Sequence, residues 1–91
     1  MARDVKEVVG VLMRVLGGEE ITQADVEDLG FEGDGELQAA LNAAYIKLLE
    51  FVHDRDARQR DRALDRTMRE RLQTRLDQIT VACDREEQLR S

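Results

Sequence analysis

Histidine, cysteine and serine each occur once in this chain of 91 residues, as His53, Cys83 and Ser91. A Ser-His-acid set needs a serine held rigidly beside its base, and a serine at the last position is not so held. A Cys-His pair would require His53 and Cys83 to meet. Cys83 falls on a ridge of aliphatic residues, where a free thiol behaves as a small core side chain. A reactive cysteine needs exposed, electropositive surroundings instead. These residues lead to the expectation that the chain is not an enzyme.

Metal binding is the sharpest chemical alternative. Glu50-Phe51-Val52-His53 has Glu-x-x-His spacing. Two groups three apart share a helix face, and such pairs hold di-iron or di-manganese centres in helical bundles. A homodimer would bring two copies, with Glu70 as a further inward carboxylate. At 100° per residue, however, Glu50 and His53 lie roughly opposite the apolar arc of their helix. They therefore read as a solvent-facing pair near a helix end, and no cofactor is expected. Asp25, Glu27, Gly30 and Glu36 touch a calcium-loop pattern, but Leu29 occupies a position that needs an oxygen ligand.

Charge bears on nucleic acid. The net charge is −6, which opposes non-specific phosphate binding. The distribution is uneven. Residues 1–52 carry net −7, residues 53–75 carry net +3 with eight arginines, and residues 76–91 carry net −2. An arginine-rich helix can track phosphates. Here the arginines alternate with Asp54, Asp56, Asp61, Asp65 and Glu70, as on a mutually solvating helix surface. Nucleic acid is the less expected partner. The basic segment is as well suited to an acidic protein surface, that of another copy included.

The elements that position these residues are helical. There is no proline, and Phe31, Tyr45 and Phe51 are the only aromatics, so the core must rest on aliphatic residues. Val5, Val8, Val9, Leu12, Met13, Val15 and Leu16 predict a helix over 4–16, stopped by Gly17-Gly18. Thr22 caps a short helix over 23–29 with Asp25 in its first turn, and Ile21 and Val26 form a hydrophobic staple. Gly30 with Phe31 reads as its Schellman end, and Asp34 as the cap of the next helix. Leu37, Ala40, Leu41, Ala44, Tyr45, Leu48, Leu49, Phe51 and Val52 predict a core helix over 36–53.

A polar stretch then runs from His53 to Arg62. Beyond it Leu64, Met68, Leu72, Leu76, Ile79 and Cys83 form a narrow stripe, predicting a helix over 61–86. Unbroken, residues 36–88 would make a rod roughly 80 Å long at 1.5 Å per residue. A break capped by Asp56 or Asp61 is the preferred reading, folding the last helix back as an antiparallel hairpin.

The segment Val26-Glu27-Asp28-Leu29-Gly30, between a valine-rich first helix and a long following helix, resembles the front half of acyl carrier proteins. The likeness covers about half the chain. In that family an Asp-Ser-Leu follows, and its serine carries the phosphopantetheine arm. Phe31-Glu32-Gly33 stands in that place here, so the resemblance does not extend to covalent loading.

The expected fold is therefore a single all-α domain over residues 1–91, a small bundle of three main helices and one short one, completed by dimerisation. The stripe Leu64, Met68, Leu72, Leu76, Ile79 and Cys83 is the expected interface with a second copy or an unidentified protein partner. No segment has the length of a membrane span, and the N-terminus lacks a signal peptide's apolar block. A lone cysteine suits a reducing cytoplasm, and the Arg/Ala/Asp/Val bias points to a bacterial source.

Overall fold

Residues 5–31, 33 and 35–90 are described by a computed structural model. Among them, five helices follow in order: α1 Lys6–Leu16, α2 Gln23–Glu27, α3 Gly35–His53, α4 Arg55–Arg60 and α5 Arg62–Arg90. No described helix is long and apolar enough to cross a membrane. The expected all-α bundle is the observed fold.

Local chemistry sets the ends of the early helices. At the end of α1, Gly18 takes φ 96°. Its N–H donates to Val15 O, and the N–H of Glu19 donates to Arg14 O. This is the Schellman pattern, which satisfies carbonyls the helix leaves open. At the start of α2, Thr22 and Asp25 exchange side-chain-to-backbone bonds as a full capping box. The backbone N–H of Thr22 is the chief cause holding the Asp25 carboxyl below its usual range. The expected Schellman end at Gly30 does not form. Helix α2 stops at Glu27, and the Gly30 N–H donates instead to Glu7 Oε2 at 2.9 Å, tying this loop to α1. Phe31 packs on Tyr45, ring centroids 5.5 Å apart. The expected cap Asp34 lies outside the described residues.

The chain does reverse in the polar stretch. Helix α3 ends at His53, and the six-residue α4 forms the corner. Asp61 is extended, with φ −135° and ψ 101°. Its Oδ1 accepts the N–H groups of Ala63 and Leu64, so Asp61 is the cap of α5. The reversal brings Arg85, late in α5, to Glu36, at the start of α3, in a 2.7 Å ion pair. The two long helices are thus antiparallel, and the molecule measures 48 Å along its longest axis. Nothing in the sequence halts α5 near residue 86, and it continues to Arg90.

The α3–α5 pair makes the largest contact in the molecule, α1 packs on both helices, and α2 packs on α3. Val8, Leu12 and Val15 of α1 meet Leu37, Leu41, Ala44, Leu48 and Phe51 of α3 and Leu72, Ile79 and Ala82 of α5 in one core. Each fully buried large aliphatic or aromatic side chain here contributes about 1.5–3 kcal/mol.

This core accounts for the ridge of α5. Met68, Leu72 and Ile79 are buried, and Leu64, Leu76 and Cys83 pack half-buried against them. The six residues expected to face a second copy are sheltered by α1 and α3 of their own chain. A narrow stripe needs one or two partner helices, and once the chain folds back it supplies both.

Candidate functional site

Arg58 is the one buried charged residue among those described, at 2% exposure. It sits on α4 beneath the corner of the hairpin. Its Nε donates to Phe51 O at 2.9 Å, taking a carbonyl near the α3 C-terminus. Its Nη1 and Nη2 grip the two oxygens of Glu20, each at 3.1 Å, and Nη1 also donates to Asp65 Oδ1 at 2.7 Å. The guanidinium carbon lies 3.4 Å from the centroid of the Phe51 ring. Arg69 approaches the same ring at 5.0 Å. It donates to Asp65 Oδ2 at 2.9 Å, to Glu20 Oε1 at 3.0 Å, and to the carbonyls of Val15 and Glu19. Two arginines, two carboxylates and one ring therefore fasten the α1–α2 loop, the end of α3, α4 and the start of α5 together.

The electrostatics follow from these contacts. The Arg58 hydrogen bond is the main cause holding the Glu20 carboxyl below its usual range, against some loss of solvation. For Asp65, burial pushes upward most strongly, but the bonds from Arg69 and Arg58 together carry it below the ordinary value. Burial disfavours the Arg58 cation, and Glu20 and Asp65 more than compensate. Charge-assisted bonds between guanidinium and carboxylate of this kind fasten the segments that carry them.

The residues singled out for chemistry are scattered. His53 is exposed at the corner end of α3 and Cys83 half-buried far along α5. Cys83 lies 21 positions beyond Arg62 on α5, about 30 Å at the helical rise, so His53 and Cys83 do not pair. Ser91 lies outside the described residues. Glu50 and His53 border a shallow cleft with Gln23 and Leu49, and Glu50 is paired with Lys47 at 3.0 Å. Glu70 lines a different groove, beside Leu16, Arg62 and Arg66. The structure does not bring the three metal candidates together. No group of three or more His, Cys, Asp or Glu side chains among the described residues is placed to hold a metal ion.

The arginine segment divides. Arg58 and Arg69 turn inward, and Arg55, Arg60, Arg62, Arg66 and Arg71 stay on the surface. The Asp65–Arg69 pair, four apart on one helix, is of the kind the interleaved charges lead one to expect. Sequence reasoning missed the inward role of Arg58, because Glu20 lies 38 positions away. The one local signal is Phe51, an aromatic ring seven residues before an arginine in an otherwise polar turn.

Two of the three exposed large hydrophobic residues among those described lie on the α3–α5 hairpin. Ile46 is 55% exposed and Val81 45% exposed, with Met13 of α1 a third case elsewhere. Ala39, Ala43 and Val81 line an open groove of about 500 Å³ between α3 and α5, with Thr74 and Gln78 opposite the alanines. Ile46 continues the Ala39–Ala43 line by one turn. Glu36 and Asp77 supply negative charge at this groove and Arg75 positive charge.

Set against known protein families, curated proteins and solved structures, the chain matches none.

Proposed function

We propose that this chain is a non-enzymatic interaction module that acts as a homodimer, pairing through the outer face of its α3–α5 hairpin. The observation that carries this reading is the outer face itself: Ala39, Ala43 and Val81 line an open groove, and Ile46 is exposed on α3 one turn beyond Ala43. Small alanines let a neighbouring helix approach closely, and Ile46 and Val81 supply the apolar contact. A two-fold contact must be self-complementary. The groove carries charge of both signs, Glu36 and Asp77 against Arg75, which lets it meet its own copy without like-charge repulsion. Dimerisation would also enlarge the modest core of a 91-residue chain. A reducing bacterial cytoplasm is the setting we favour, on the strength of the lone cysteine and the arginine-rich composition.

Neither alternative has comparable support. Among the described residues no further ligand joins the Glu50–His53 pair, and part of the arginine segment is engaged inside the fold.

Solution mass tests the proposal. Sedimentation equilibrium of the wild-type chain should give twice the 10.4 kDa of one copy. Ile46→Asp, at a position already open to solvent, should keep its helical circular dichroism and fall to the single-chain mass. A wild-type protein that stays monomeric at about 100 μM, where even a weak specific dimer is populated, overturns the reading.

A further inference from the structure

We propose that Asp61 is a one-residue hinge through which two copies of this chain exchange α5. From Glu36 onward the sequence holds neither glycine nor proline, so no residue in the corner forbids helix. The corner is nearly helical already. Asp54 sits close to helical geometry, with φ −89° and ψ 17°. Its N–H donates to Glu50 O and its carbonyl accepts from Arg58, both at 2.9 Å. On the far side the Asp61 N–H bonds to Ala57 O, and the Asp61 carbonyl accepts from Asp65, both at 3.1 Å. The sharp departure is the extended backbone of Asp61 itself, stabilised by its carboxylate on Ala63 and Leu64. Turning that residue to helical φ and ψ, with a small adjustment at Asp54, makes α3, α4 and α5 one rod.

A rod cannot shelter Met68, Leu72 and Ile79 within one chain. A second copy can, because it carries the same α1 and α3 surfaces that cover the ridge now. Charge points to the same occupant. Arg69 of the exchanged helix would find Glu20 of the other copy, remaking the bond it now makes within its own chain. The exchanged and closed forms thus share the aliphatic contacts of α5 with α1 and α3, and differ at the corner, where the rod gives up the Asp61 cap and the seat of Arg58 on Phe51. Such a balance is tipped by hinge residues. The Asp61 cap favours the closed form, and removing it favours exchange.

The test uses the Ile46→Asp background, so that the outer-face contact proposed above plays no part and the two readings fail separately. Donor and acceptor dyes go on Glu36→Cys and Arg85→Cys in a Cys83→Ser chain. These sites form an exposed ion pair in the closed chain, and would lie about 70 Å apart on the rod at 1.5 Å per residue. A trace of labelled chain is refolded with excess unlabelled chain of the same sequence, and transfer efficiency and mass are read together. The Asp61→Ala protein should lose transfer and double in mass. Its dimer dissociation constant should fall about tenfold or more relative to the Asp61 protein, since one cap per chain is removed. Asp61→Ala chains that keep full transfer as compact monomers overturn the proposal. So do chains that lose transfer while remaining at single-chain mass, because the ridge would then have no second copy covering it.

Discussion

Arg58 shows how far a single side chain can depart from the pattern around it. In a stretch where aspartate and arginine alternate, it alone among the described residues is buried and charged. Burying a guanidinium is tolerable only when its donors are met, and Phe51 O, Glu20 and Asp65 meet them. Arg58→Met keeps much of the packing on Phe51 but leaves the Phe51 carbonyl without this donor and Glu20 and Asp65 with Arg69 as their remaining cation. Because Glu20 and Asp65 remain about a third exposed, water recovers part of the loss. The expected destabilisation is about 2 kcal/mol, below the range for fully buried pairs, as read by chemical denaturation. Acid acts on the same cluster. Both carboxyls titrate below their unfolded values, which are about 4.3 for Glu and about 3.9 for Asp. Their contribution is complete above about pH 4–5 and disappears as pH falls through the lowered folded values. The thermal midpoint of the wild type should therefore drop more steeply below about pH 4 than that of Arg58→Met. Parallel curves would show that these ion pairs do not couple protonation to folding.

Among the elements, those with local signals were legible in the sequence. The Thr22 cap with Asp25 in its first turn, the glycine stop after α1 and the apolar arc of α3 each rest on local signals, and each is observed. The expected α2 runs two residues past its observed end at Glu27, and Gly30 is drawn into a bond with Glu7, 23 positions earlier. The α5 ridge was legible as a ridge but not as to what covers it. Periodicity reveals that a face must be buried and is silent on which chain buries it. Leu72 decides the consequence. At 1% exposure it is a core residue of the single chain, so Leu72→Ala should cost about 3 kcal/mol by leaving a cavity. That is a large share of the roughly 5–10 kcal/mol such a domain holds. Urea titration checks this. A loss under about 1 kcal/mol would mean the helix is not seated as described.

For the molecule as a whole, the hairpin divides the surface into two kinds. The inner side of α3 and α5 is closed by α1, and the outer side remains open between Ala43 and Val81. The Ile46→Asp measurement belongs to this scale, since it changes an outward side chain and asks what becomes of the assembly. The outer face was the least legible part of the sequence. Alanines and isolated aliphatics carry little periodic signal, and they become a surface only once two distant helices lie side by side.

The bonds around Phe51 also bear on alignment. Aliphatic contact is indifferent to direction. Leu64, Met68, Leu72, Leu76 and Ile79 recur so evenly that α5 slid by one turn would still present grease to grease. A guanidinium seated on one carbonyl and clasping two acids from separate segments has no such freedom. Displaced by a turn, Asp65 and Arg69 would leave their counter-charges behind. The polar knot at the corner thus acts as an indexing pin, selecting a single register for a helix pair whose oily surfaces would accept several.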